Sequence, residues 1–171
     1  MKRLITICLV LVVASSASAT PTDLELVLLC DVSGSVDTAD FDLIRGGYEA
    51  AFRDASIIDR IQNAGPNGSI AASLVYWADS QVIAVDWMLI NDEASSNAFA
   101  DAIAAAARGT GGNTYMAEAM NFAIPLFEND YDGLRQVIDV TGDGADSTDY
   151  AQISPNVQAA RDAGTHGEPL H

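Results

Sequence analysis

Positive charge is what this sequence has least of. Of 171 residues only eight are Lys or Arg, against 24 Asp and Glu. The only lysine, Lys2, and one arginine, Arg3, open the chain. An apolar stretch at 4–13 follows, then the small residues Ala17-Ser18-Ala19. That order is a secretory signal with cleavage expected after Ala19, so the mature protein belongs in the periplasm or outside the cell. The stretch is too short to span a bilayer. No later stretch is a candidate span, because charged and polar residues recur too often. Cys8 follows the bulky Ile7 inside the apolar stretch, which argues against a lipid-modified cysteine. Cleavage leaves six arginines, no lysine and a net charge of −18. Such a balance excludes nucleic acid and anionic membrane surfaces as partners, and gives the chain a reason to bind a divalent cation. Cleavage also leaves Cys30 alone, so the mature chain forms no internal disulfide although its compartment permits one. Cys30 ends an apolar run and reads as a small buried hydrophobe. Asp31 beside it raises a thiol pKa, which argues against a nucleophile. The two histidines, His166 and His171, fall in an irregular tail at 165–171 and carry no assignment.

What is present is concentrated at 24–35, Leu-Glu-Leu-Val-Leu-Leu-Cys-Asp-Val-Ser-Gly-Ser. An apolar run that ends abruptly in polar residues and glycine suits a buried strand of a parallel sheet. Ligands of such sheets bind just past the carboxyl ends of the strands. Asp31, Ser33 and Ser35 are delivered there together. They are hard oxygen donors without sulfur or imidazole, which points to Mg²⁺, Mn²⁺ or Ca²⁺ rather than zinc.

Beyond this strand, Asp37-Thr38 offer a helix cap, and Phe41, Ile44, Tyr48, Phe52 and Ile57 recur at helical spacing to about residue 61. Ala64-Gly65-Pro66-Asn67-Gly68 is a turn. Segments 70–78 and 81–90 read as strands joined by Asp79-Ser80, a connection short enough for a hairpin, so one strand is antiparallel. Tyr76, Trp77 and Trp87 on these strands belong to the core rather than to a ligand site. Asn91-Asp92 cap an alanine-rich helix at 93–107. A glycine-rich loop, 108–113, precedes a helix that opens at Thr114 or Tyr115 and runs to about 127, with Pro125 bending or ending it early. Segment 134–141 is a further strand closed by Gly142-Asp143-Gly144, and 151–162 is weakly helical. Strands alternating with helices predict a doubly wound, mostly parallel α/β sheet with helices on both faces and one antiparallel strand.

Three loops thus present oxygen donors: Asp31-Val32-Ser33-Gly34-Ser35, Gly109-Thr110-Gly111-Gly112-Asn113-Thr114, and Gly142-Asp143-Gly144. In this combination the chain resembles a von Willebrand factor A domain with a metal-ion-dependent adhesion site, over roughly residues 24–160. The family pattern is Asp-x-Ser-x-Ser after the first strand, a threonine before a middle helix, and an aspartate in a Thr-Asp-Gly-like turn after the fourth strand. Asp31, Ser33 and Ser35 match the first element, Thr114 the second and Asp143 the third, with Gly142 where the threonine would be; Thr110 competes with Thr114, but it lies before two glycines and belongs to the loop. More narrowly, the chain resembles a group of secreted bacterial proteins with this domain and no assigned function. The resemblance implies Ser33, Ser35 and Thr114 as direct neutral ligands. Asp31 and Asp143 would bind directly or through ordered water. A shell rich in neutral ligands leaves the ion electrophilic, so that an Asp or Glu carboxylate of a partner protein takes the open position. Repulsion of an acidic partner is screened over only about 8 Å at physiological salt, and the cation makes the contact possible.

The serines also suit turn residues capping the next helix, Thr114 suits a plain N-cap, and Asp143 between glycines suits an ordinary turn. Asp146 and Asp149 belong to a solvated loop. As an enzyme, the chain would be a metal-dependent phosphohydrolase of the haloacid dehalogenase type, imitated by Asp31 and Gly142-Asp143-Gly144-Ala145-Asp146. That family carries a second acid where Ser33 stands, and a phosphate-holding lysine that the mature chain lacks. A structural α/β domain without metal is the remaining alternative. An EF-hand in 139–150 fails because Tyr150 replaces the closing glutamate, and a serine hydrolase fails for want of Gly-x-Ser-x-Gly. Domains of the resembled family continue past the fourth strand through a helix to further strands. Residues 159–164 begin that course and 165–171 break it. The expectation is therefore an incomplete domain at 20–164, with the strand at about 135–141 an exposed edge open to self-association.

Overall fold

The computed structural model describes residues 18–109 and 111–143. The expectations for the signal segment up to residue 17, Thr110, Asp146, Asp149, the 151–162 helix and the tail lie outside those residues. The elements are β1 (Thr20–Thr22), β2 (Leu24–Asp31), α1 (Thr38–Arg53), α2 (Ala55–Asn63), β3 (Ile70–Trp77), β4 (Gln81–Ile90), α3 (Glu93–Ala105), α4 (Met116–Ala123), a 3₁₀ turn (Ile124–Phe127), β5 (Tyr131–Gly133) and β6 (Gln136–Thr141).

The main sheet has the order β4-β3-β2-β6. β2 pairs in parallel with β3 and β6, and β3 pairs antiparallel with β4 through the Asp79-Ser80 hairpin. Both faces of β2 are covered, which is why its sequence is a nearly unbroken apolar run rather than an alternation. Leu28 and Cys30 face one layer with Ala72, Leu74 and Tyr76, closed by Phe41 and Phe52 of α1 and Phe99 and Ile103 of α3. Val27 and Leu29 face the other with Val75 and Trp77, closed by Ala119 and Ala123 of α4. The alanines let α4 approach the sheet closely. Edge-to-face rings, Phe52 on Phe99 at 4.7 Å and Phe41 on Tyr76 at 5.5 Å, lock the first layer. Tyr76 and Trp77 are core residues, and Trp87 is half-buried with its indole N–H donated to the Leu126 carbonyl at 3.1 Å.

Several boundaries differ from the sequence reading. The helix expected through residue 61 is two helices. Asp54 is extended, ends α1 and caps α2 by accepting from the Ser56 amide at 2.7 Å. The break rotates the second helix, so Ile58 is buried and Ile57 is exposed. The last strand starts at Gln136, because Leu134 is 65% exposed and its amide turns to the Thr22 carbonyl. β1 and β5 pair in parallel as a separate two-stranded sheet, and their three residues each are too short to register as a period. Pro125 does end α4, converting its last turn to 3₁₀ geometry. Among the described residues β6 pairs with β2 alone and forms the edge of the main sheet.

Candidate metal centre

The carboxyl ends of β2 and β6 lie side by side, Cys30 opposite Thr141, so the loops after them emerge together. Asp31 and Ser33 are fully buried, Thr114 nearly so, and Ser35 and Asp143 are exposed. Asp31 Oδ1 accepts from the Ser33 amide at 2.7 Å. The Ser33 and Ser35 hydroxyls are 3.1 Å apart, the Thr114 hydroxyl donates to Ser33 Oγ at 3.2 Å, and Ser35 Oγ donates to Asp143 Oδ1 at 2.9 Å. Side-chain hydrogen bonds therefore join Thr114, Ser33, Ser35 and Asp143, and Asp31 is tied to them through the Ser33 backbone amide, with the array buried at Asp31 and open to solvent at Ser35 and Asp143.

The alternative local roles are taken by other residues. The cap of α1 is Asp37, whose carboxylate accepts from the Ala39 and Asp40 amides, so neither serine caps it. The N-cap position of α4 is Tyr115, without a side-chain cap, and Thr114 turns its hydroxyl to Ser33 instead. Gly142 lies against Asp31. A Cβ there would come within 3.0 Å of Asp31 Oδ2.

Asp31 Oδ2 is buried and has no hydrogen-bond partner. A carboxylate oxygen taken out of water without a partner is costly, and a cation or its bound water removes that cost. Two carboxylates and three hydroxyls are a hard, oxygen-only set of the kind Mg²⁺, Mn²⁺ and Ca²⁺ take. The residues present therefore fit a divalent cation. Among the described residues there is no cluster of three or more His, Cys, Asp or Glu suited to a metal, so the hydroxyls are essential to any such set. Cys30, one residue before Asp31, takes no part. Burial first, and then the neighbouring Asp31 charge, push its thiol up to about 12, which keeps it an inert core group.

Two supporting residues escape sequence reasoning. Asp79, read only as part of a turn, accepts from the Asn113 amide at 2.7 Å and anchors the chain just ahead of Thr114. The Gly34 amide donates to the Gly112 carbonyl at 2.8 Å, laying the glycine loop on the Asp-x-Ser-x-Ser loop. A Cβ at Gly112 would sit 2.2 Å from Asp79 Oδ2, so glycine is required by close approach. Gly112→Ala is expected to lower the unfolding free energy by about 1–3 kcal/mol through overpacking. In a urea-denaturation cycle with Asp79→Gly, the double variant should recover the steric part. Strict additivity would refute the clash. Arg108 is the second missed residue. Nothing in its spacing distinguishes it from a solvated arginine, yet it faces the Asp-x-Ser-x-Ser loop.

Sheet order and layering are those of the von Willebrand factor A-type fold. The chain belongs to the family described as Protein of unknown function (DUF1194), whose model matches residues 21–167. No curated protein matches it. Solved structures with the same fold include proximal thread matrix protein 1 from the mussel byssus with a zinc-occupied adhesion-site motif, at 16% identity and TM-score 0.58 over 87% of this chain and 35% of that one. A von Willebrand factor type A protein from Catenulispora acidiphila matches at 16% and 0.57 over 81% and 31%. The von Willebrand factor domain of the type V pili tip protein Mfa5 from Porphyromonas gingivalis matches at 14% and 0.51 over 91% and 56%. The chain thus spans between about a third and just over half of the length of these structures.

Proposed function

We propose that this protein is a secreted binding module. It holds a divalent cation at Asp31, Ser33, Ser35, Thr114 and Asp143, and binds a partner protein through an Asp or Glu carboxylate that completes the coordination. Mg²⁺ is the expected ion, with Mn²⁺ and Ca²⁺ as chemically similar substitutes. The observation that carries this reading is the hydrogen-bonded array in which the side chains of Thr114, Ser33, Ser35 and Asp143 are linked to one another and to Asp31 through the Ser33 amide, with Ser35 and Asp143 meeting across 108 positions of sequence. The unpartnered Asp31 Oδ2 supports it from the buried side, and the exposure of Ser35 and Asp143 supplies the open side a partner needs. A cation here supplies Lewis acidity and positive charge. The chain's own residues bind it, orient its waters and leave one face accessible. The secretory signal read at 1–19 supports a site of action in the periplasm or outside the cell. The byssus and pilus proteins named above are compatible with adhesion, and none of them lends this chain its partner. We read the role as binding; against the haloacid dehalogenase-type alternative stand Ser33, where that family carries a second acid, and the lack of any lysine after Lys2.

Isothermal titration of the mature protein with Mg²⁺ and Mn²⁺ tests the reading. Saturable binding that is lost in Asp31→Ala is expected. Failure of both ions to bind wild type would overturn it. Turnover of a phosphate ester that disappears in Asp31→Asn would replace it with the phosphohydrolase. Pull-down from envelope extract with and without EDTA then isolates the carboxylate-bearing partner.

A further inference from the structure

Arg108 follows α3 and opens the glycine loop, and its guanidinium lies under the segment joining β2 to α1. Nη2 donates to the carbonyls of Val36 at 2.5 Å and of Val32 and Ser33 at 3.4 Å each, and Nη1 donates to the Asp37 carbonyl at 3.2 Å. The guanidinium carbon stands 5.1 Å from the centroid of the buried Phe41 ring. The ion pairs among the described residues use Arg45 and Arg53. In a chain with 24 acids, Arg108 meets backbone oxygens instead of a carboxylate. Its four acceptors come from both ends of the 32–37 segment, two ahead of Ser35 and two after it.

We infer that Arg108 is a positioning residue that fixes the width of the Asp-x-Ser-x-Ser loop, and with it the spacing of the Ser33 and Ser35 hydroxyls; its effect on a cation rests on the metal-binding reading above. The planar fork explains why arginine stands here. Its rigid donors bridge carbonyls several residues apart, which the compact ammonium of lysine does not do. Charge alone points the other way. A fixed positive group beside a cation site opposes the ion, so Arg108 helps the site only if geometry outweighs repulsion. Arg108→Lys keeps the charge and loses the fork, and Arg108→Gln loses both, so the pair separates the two effects.

Two measurements on the mature protein decide it. In EDTA, hydrogen exchange at the Ser33 and Gly34 amides should quicken about tenfold in both variants while β2 and β3 amides keep their protection. By isothermal titration, Mn²⁺ should bind both variants about tenfold or more weakly than wild type, as loss of outer-shell support does. Unchanged loop exchange, or a rise spread evenly over the strands, overturns the clamp. So does Arg108→Gln binding Mn²⁺ as well as or better than wild type. If Arg108→Gln does not fold, Arg108→Lys alone carries both readings. If wild type binds neither Mg²⁺ nor Mn²⁺, the metal reading fails, and the exchange in EDTA still decides the clamp.

Discussion

Asp31→Asn is expected to weaken Mg²⁺ and Mn²⁺ binding by about a hundredfold or more, beyond the range of outer-shell substitutions, without destabilising the metal-free protein. The second half of that result is the distinctive one. Asp31 is fully buried; one oxygen accepts from the Ser33 amide and the other has no partner. Asparagine keeps the acceptor for Ser33 in the same shape, and puts a neutral amide where the unpartnered oxygen stands. A neutral group is cheaper to bury than a charged one, so in EDTA the variant should equal wild type or gain on the order of 1 kcal/mol. Adding Mg²⁺ at about 100 times its dissociation constant stabilises wild type by about 2.7 kcal/mol and leaves the variant unmoved. The order of melting temperatures therefore inverts when Mg²⁺ replaces EDTA. A variant that melts below wild type in EDTA and gains equally from Mg²⁺ would show Asp31 to be a structural residue, with no part in binding the ion.

What could be read from the sequence follows from what each signal depends on. β2 and β3 were legible because burial of a whole strand writes itself as a contiguous apolar run, and β4, a partly exposed edge strand, because its apolar residues follow directly on the Asp79-Ser80 turn. The five proposed ligands stand out because donors follow strand ends and a glycine loop in a fixed order. The break at Asp54 was not legible, since Ile57 continues the apolar spacing that Phe52 leaves off. β1 and β5 were missed because three-residue strands owe their existence to pairing between positions more than 100 apart. Arg108, Asp79 and Glu25 were missed for the same reason. Each is an ordinary charged residue locally, and acquires a role only from backbone that another segment brings to it.

Glu25→Ala is expected to lower the unfolding free energy by about 4 kcal/mol, a large share of the 5–15 kcal/mol typical of a domain. Glu25 sits one residue into β2 and is fully buried. Its Oε2 accepts from Asn129 Nδ2 at 2.8 Å, and its Oε1 from the Gly133 backbone N–H at 2.8 Å and from Gln136 Nε2 at 3.4 Å. Asn129 in turn accepts from the Tyr131 amide at 2.7 Å. A single side chain thus ties β5 and the start of β6 to β2, and glycine stands at 133 because a Cβ there would lie 2.8 Å from Glu25 Cγ. Truncation leaves three donors without this acceptor, the Asn129 side-chain amide and the Gly133 N–H part-buried and Gln136 exposed, and the two part-buried ones cost about 1–3 kcal/mol each, besides the lost packing. Glu25→Gln keeps the shape and one acceptor but turns an N–H₂ toward a donor, so it should lose roughly half as much. Urea denaturation in EDTA measures both, and a loss below about 1 kcal/mol for alanine would mean that backbone pairing alone holds these strands. The site offers the companion control. β6 leads directly to Asp143, and its register against β2 is also set by six paired residues from Glu25 to Cys30. Folded Glu25→Gln should therefore keep wild-type Mn²⁺ affinity, separating the buried carboxylate that holds the sheet together at one end of β2 from the one proposed to bind the ion at the other.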